Sequence, residues 1–270
     1  MRDETKIIPQ TTLDYFCVHI VEHCNLKCQF CDHFSPLADD EFIDIKVFEK
    51  DFARLSELLD GKVNSIGLMG GEPLLNPQLN DFLSIARKYF PNTKLCLVTN
   101  GILLLKQTED FWNTCKINNI VIVNTKYPIA LNFERMKEVA KEHEVIFEHY
   151  GDSAEVLKTS SKMPLDLLGK QNPDTNFMGC YHANDRCFLS KGRLFPCTIA
   201  PNVWKFNKFF NQNLSISDED YIDIYKAINE KEILNFLSKP IPFCKYCYVE
   251  KRTFGLPWKR SRKDIKEWIV

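Results

Sequence analysis

The chain has 270 residues, 44% of them apolar and 26% charged, with 11 cysteines and a formal net charge of −1. That size and apolar content allow a large hydrophobic core, as one domain or one domain with an appendage, and the charge balance excludes a generally basic nucleic-acid binder. No apolar run is long enough to cross a bilayer, and the charged opening MRDETKIIPQ lacks the apolar segment of a signal peptide, so a reducing cytoplasm is the expected compartment, with no membrane or nucleic-acid partner.

Residues 15–22, YFCVHIVE, read as a β-branched strand ending just before CNLKCQFC at 24–31. The three cysteines of that octet admit a zinc knuckle, a disulfide framework or an iron–sulfur site. A reducing compartment favours the metal readings. Apolar residues at helical spacing follow over 42–59. The pattern then repeats as strand 65–69, helix 77–90, strand 94–100, helix 106–117, strand 119–124, helix 132–143 and strand 144–150. Strands alternating with helices predict βαβ units and a parallel sheet, either open or most of a barrel. The alternation stops near 150. The stretch 151–179 reads as a polar connector, the segment CFLSKGRLFPC as a hairpin, 219–237 as one amphipathic helix, and the basic, tryptophan-bearing C-terminal segment as a solvated closing helix. The composition shift predicts two parts, residues 1–165 and 166–270.

Ligands of parallel α/β sheets sit at the carboxyl ends of the strands. Those ends carry the cysteine loop after the first strand, Gly70-Gly71-Glu72-Pro73 after the second, Thr99, Asn100 and Gly101 after the third, and Asn124 and Thr125 after the fourth. Two glycines allow close backbone approach to a ligand, and the adjoining carboxylate accepts from an ammonium group. Glu148 and His149, at the end of the fifth strand, are expected to face the same rim.

CNLKCQFC resembles the CxxxCxxC motif of radical S-adenosylmethionine (radical SAM) enzymes, with Phe30 as the aromatic residue before the last cysteine, and GGEP resembles their GGE motif. The resemblance covers roughly residues 15–150. It implies a partial (β/α)6 parallel barrel, an α/β fold, with Cys24, Cys28 and Cys31 as ligands of a [4Fe–4S] cluster whose fourth iron binds SAM. Gly70, Gly71 and Glu72 would hold the methionine amino group, Phe30 would lie against the adenine, and Asn124 would contact the ribose. Three thiolates leave one iron open.

Further on, Cys180, eleven residues, Gly192, four residues and Cys197 resemble the opening of the twitch and SPASM families, and FCKYC adds Cys244 and Cys247. This implies a small C-terminal domain with an auxiliary [4Fe–4S] cluster. No cysteine follows Cys247, as in the shorter twitch form. Cys187 is an alternative to Cys180 as ligand. Both cysteine groups also admit structural zinc, and Cys17, Cys96 and Cys115 read as core residues.

The implied activity is hydrogen abstraction from a small molecule. A secondary alcohol of a sugar or aminocyclitol is expected first and peptide modification second, since little chain precedes the first strand to form a leader-binding domain. A scaffold without activity would need neither motif. Candidate proton acceptors are Cys187, Tyr181, Tyr127 and His149. His23 and His33 flank the cysteine loop and are placed to tune its hydrogen bonds. The substrate is allowed to be anionic, met by the basic C-terminal stretch, and an electron donor such as flavodoxin or ferredoxin is implied as a partner.

Overall fold

The computed structural model describes residues 4–150 and 157–270. Its centre is an eight-stranded sheet. β1 (Leu13–Val21), β2 (Val63–Gly70), β3 (Lys94–Thr99), β4 (Ile120–Asn124) and β5 (Ile146–His149) lie in sequence order and pair in parallel. Helices α1 (Ile45–Leu58), α2 (Leu79–Tyr89), α3 (Glu109–Ile117) and α4 (Phe133–Glu142) alternate with them. β1 is buried along nearly its whole length, as an inner strand covered on both faces must be. The helices dock through aromatic rings: Phe48 and Phe52 of α1 stack at 4.0 Å, and Phe52 meets Phe16 of β1 edge-on at 5.9 Å. Side-chain caps start three of these four helices, with Asp44 accepting from Lys46 N–H, Thr108 from Phe111 N–H and Asn132 from Arg135 N–H.

Beyond residue 156 come β6 (Ser160–Lys162), α5 (Pro173–Gly179), β7 (Cys187–Ser190), β8 (Arg193–Phe195), α6 (Val203–Phe210), β9 (Ile222–Asp223), α7 (Glu230–Leu237) and β10 (Thr253–Leu256). The expected hairpin is β7–β8, and it extends the main sheet. β7 runs parallel to β1, with Phe16 opposite Cys187, and becomes the sixth parallel strand. This is the partial parallel barrel. The two expected parts share a core as well, because Cys17, Phe34 and Leu37 pack with Phe177, Phe188, Phe206 and Trp268. No helix among the described residues is long and apolar enough to cross a membrane.

Two expected helices differ. Of 219–237 only Glu230–Leu237 is α-helical. Asp220 accepts from Ser217 N–H at 2.7 Å and from Phe243 N–H at 2.6 Å, and extended Asn229 caps α7, so side-chain hydrogen bonds to the backbone end the helix early. The C-terminal segment is no helix either. Gly255, at φ +68°, and Pro257 break helical geometry. β10 pairs antiparallel with β6, and only a 3₁₀ turn, Ile265–Glu267, follows. The expected 151–179 connector holds β6 and α5; its residues 151–156 lie outside the described residues.

Candidate active site

At the carboxyl ends of β1–β4 a cavity of ≈ 430 Å³ opens, lined by Cys24, Cys28 and Cys31 together with Phe30, Gly70, Gly71, Glu72, Thr99 and Asn100. The cysteine loop holds Lys27, Phe30 and Phe34 at φ +54°, +61° and +53°, a left-handed geometry that costs non-glycine residues energy and is kept only where surroundings enforce it. Two neighbours enforce it.

The first is the Gly70-Gly71-Glu72 turn. A Cβ on Gly70 would fall 2.1 Å from Val21 O, and one on Gly71 1.9 Å from His23 O. Gly71 N–H donates to Val21 O and Glu72 N–H to His23 O. The backbone these glycines admit is therefore that of the cysteine loop itself, where the sequence suggested a ligand. The second neighbour is residues 259–261, where Gln29 N–H donates to Lys259 O at 2.9 Å and Ser261 N–H to Lys27 O at 2.8 Å. Trp268 Nε1 adds a bond to Cys31 O at 3.0 Å.

Glu72 is 1% exposed and accepts from Thr99 Oγ1 at 2.6 Å, Asn100 N–H at 2.8 Å and Leu74 N–H at 3.1 Å. Burial pushes its carboxyl up to about 7 against these three donors. It ties the ends of β2 and β3 together.

Burial likewise pushes the Cys24 and Cys31 thiols up to about 12 and raises Cys28. The core thiols Cys17 and Cys115 are raised in the same way, so the shift reports burial, and a thiolate would form here at neutral pH only beside bound positive charge. Leu26 N–H already points at Cys24 Sγ, 3.4 Å away. Among the described residues no three His, Cys, Asp or Glu donors close on a single-ion site; the three thiols all line the cavity.

A second thiol group lies deeper. Cys180, Cys197, Cys244 and Cys247 surround one small cavity of ≈ 20 Å³, closed by Phe177, Ile199, Phe243 and Val249. Burial raises all four, Cys197 to about 12. His182 N–H points at Cys180 Sγ at 3.4 Å, and Asn176 Nδ2 donates to the carbonyls of Cys244 and Cys247, at 2.8 Å to the first. Cys187 stands apart in β7, packed in the apolar core, and its carbonyl accepts from Cys17 Sγ.

Polar residues bridge the two cavities, and most of them left no mark in the sequence. Asp32 Oδ2 lies 3.1 Å from His182 Nε2, and His182 Nδ1 lies 3.3 Å from Thr198 Oγ1. Burial opposes the charge on Asp32, but the His182 contact and the neighbouring His33 outweigh it and hold the carboxyl below the ordinary range. On the other side of His33 runs a buried line: His33 Nδ1 to His19 Nε2 at 2.8 Å, His19 Nδ1 to Glu22 at 2.9 Å, and Glu22 to Lys205 Nζ, which also donates to Asn202 at 2.6 Å. Arg186 sits between the rings of Tyr15 and Tyr150, 5.7 and 5.9 Å from their centroids, and with Lys158 brings positive charge to the cavity wall.

Other expected residues divide. Tyr127, Tyr181 and Thr125 line the large cavity, as does Trp258. Pro73 is buried in a 3₁₀ turn, and Asn124 packs behind the rim with Nδ2 on Thr99 O and a buried Oδ1 that has no partner. Neither reaches the cavity wall. Glu148 points away to an exposed ion pair with Lys94 at 2.8 Å, and His149 packs among Phe133 and Phe147. The basic side chains of 251–263 do not line the cavity.

Residues 18–124 match the Radical SAM superfamily model. GTP 3′,8-cyclase of Sulfurovum sp. (strain NBC37-1) is 37% identical over 93 residues, 34% of this chain and 28% of that protein. The Helicobacter pylori (strain ATCC 700392 / 26695) GTP 3′,8-cyclase is 33% identical over 101 residues, 37% of this chain and 32% of that protein. The match thus spans about a third of each of these relatives. Among solved structures, BtrN in complex with AdoMet and 2-DOIA superposes with a TM-score of 0.54 at 18% identity, covering 88% of this chain and 94% of that one. Native anSMEcpe with bound AdoMet gives a TM-score of 0.50 at 15% identity over 87% and 89%. These two share the fold. Motif, strand-end geometry and superfamily match agree over residues 18–124, which carry the radical SAM domain of this chain.

Proposed function

We propose that this chain is an oxidoreductase that removes hydrogen from a small polar molecule, oxidising a secondary alcohol of a sugar, an aminocyclitol or a related glycan or natural-product intermediate. The superfamily match over residues 18–124 implies a [4Fe–4S] cluster and SAM, which when bound would supply a 5′-deoxyadenosyl radical able to abstract hydrogen from an unactivated C–H bond. Cys24, Cys28 and Cys31 are the proposed ligands, Gly70, Gly71 and Glu72 the wall for the methionine end, and Phe30 the contact for adenine.

One observation carries the oxidative reading: four thiols, Cys180, Cys197, Cys244 and Cys247, ring a second buried cavity. Four thiolates suffice to ligate an auxiliary cluster completely. When bound, such a centre would supply a one-electron acceptor for converting an alcohol to a ketone, one hydrogen atom going to the adenosyl radical and the hydroxyl proton leaving to solvent. Within this group the fourth ligand is Cys180, while Cys187 packs in the core. Tyr127 and Tyr181 face the substrate space, and burial raises both phenols above their ordinary value. They stay protonated at neutral pH and serve as hydrogen-bond donors that orient a polar substrate, not as bases. Arg186 and Lys158 on the wall suit an anionic group on that substrate.

The test is iron and sulfide content after anaerobic reconstitution, followed by 5′-deoxyadenosine formation with sugars, aminocyclitols, GTP and peptides. About eight irons per chain, falling to about four when Cys24, Cys28 and Cys31 are replaced, is expected. A product lacking two hydrogens should accompany 5′-deoxyadenosine. About four irons falling to nearly none would remove the electron acceptor and with it the oxidative reading. A peptide as the substrate turned over would replace the small-molecule reading.

A further inference from the structure

The chain is electrically balanced overall, yet Lys27, Lys259, Arg260, Arg262 and Lys263 are all exposed, and no ion pair among the described residues holds any of them. Their grouping follows from backbone pairing. Lys27 lies inside the cysteine loop, and residues 259–261 run antiparallel beside it, with Cys28 opposite Arg260. Paired backbones lie about 5 Å apart, so the cations on this strap stand one backbone layer from the three thiols. Nearby acids scarcely offset them. Glu267 is buried, its carboxylate occupied by Ser261 Oγ and Arg262 N–H; Asp39 pairs with Lys208 and also feels Lys263, and exposed Asp264 remains. Lys263 lies over the Phe209 ring at 5.3 Å, which steers its ammonium group without neutralising it.

We propose that this cationic face is the docking surface for a small acidic one-electron carrier protein, whose electron enters the cysteine-loop site directly beneath. The inference rests on the radical SAM assignment, which requires an electron from outside the chain. The carrier loses one electron and the cluster site gains it, with no bond made or broken between the two proteins. Complementary charge at such a face accelerates association roughly 10–1000-fold and makes it sensitive to salt. An uncharged or small anionic reductant needs no such surface.

The test uses the reconstituted full chain and a reduced flavodoxin as the acidic carrier, compared with the triple variant Lys259→Glu, Arg260→Glu, Lys263→Glu. The pairing hydrogen bonds are made by main-chain atoms, so the variant is expected to keep its fold, checked by unchanged iron content. Cluster bleaching by flavodoxin at low salt should slow by at least about tenfold in the variant, and the steep salt dependence of the unaltered protein should disappear. Dithionite should reduce both proteins equally. Binding of oxidised flavodoxin, followed by flavin fluorescence without turnover, should weaken in parallel. If flavodoxin reduces or binds both proteins alike, or dithionite reduces the protein and flavodoxin does not, the docking surface is refuted alone. A protein that retains no iron and is inert to dithionite overturns the docking surface and the radical SAM function together.

Discussion

Glu72→Gln in chelator-treated protein gives a sharp test of the buried carboxyl at the rim. The unfolded chain loses the Glu72 proton near 4.5, the folded chain near 7. Between those values the folded state keeps a proton that the unfolded state has released, so this group's contribution to stability falls as pH rises through the window. At about 1.4 kcal/mol per pKa unit, integration from pH 5 to pH 8 yields a loss of about 2–3 kcal/mol, or roughly 5–10 °C in Tm for a chain of this size. Glutamine imitates the protonated carboxyl and carries no such dependence. Its poorer fit to the three donors adds a roughly pH-independent penalty of about 1–3 kcal/mol. The advantage of the natural protein over Glu72→Gln should therefore shrink by about 2–3 kcal/mol between pH 5 and pH 8. Urea unfolding followed by tryptophan fluorescence at several pH values measures it, and subtracting the two proteins cancels the titrating thiols common to both. A difference that stays constant, or widens as pH rises, would refute the reasoning.

Three other outcomes are expected. Gly71→Ala places a methyl group against the His23 carbonyl, so iron retention by the cysteine loop should drop to a small fraction of the natural value in iron analysis, with near-normal far-UV circular dichroism. Lys205→Met leaves the Glu22 carboxylate buried without its ammonium partner and should cost about 3–5 kcal/mol in urea unfolding; adding Glu22→Gln should recover part of the loss, as a double-mutant cycle would show. Cys180→Ala should lower the iron content by about half, whereas Cys187→Ala should keep the full complement and lose only about 1 kcal/mol of core packing.

The parallel strands and their helices were legible because each is written locally, as β-branched runs and apolar residues three and four apart. The cysteine loop and GGEP were legible because each keeps its chemistry within a few residues. The polar bridge was not. Lys205 Nζ reaches His33 O across a separation of 172 residues, and Asp32 meets His182 across a similar distance, with no periodicity to announce either contact. Asp32 and His33 directly follow the last cysteine of the loop, and that adjacency was the one available signal. The strand assignment of the β7 hairpin was readable in its turn at Lys191–Gly192, but its place beside β1 depends on tertiary pairing. The early end of the 219–237 helix depended on where Asp220 finds a backbone donor, Phe243, more than twenty residues away.

The strap across the cysteine loop has a consequence for timing. The backbone partners that hold residues 24–31 in left-handed geometry, Lys259 and Ser261, and the Trp268 indole on Cys31, leave the ribosome more than two hundred residues after the loop itself. Until that late segment arrives, the loop lacks its second support, and closing so long a chain segment is slow because its entropy is lost before any contact compensates. On the proposed ligand assignment, metal delivery to the three thiols would follow synthesis of the strap, and a chain stalled before residue 259 should have its three loop cysteines alkylated faster than the finished protein.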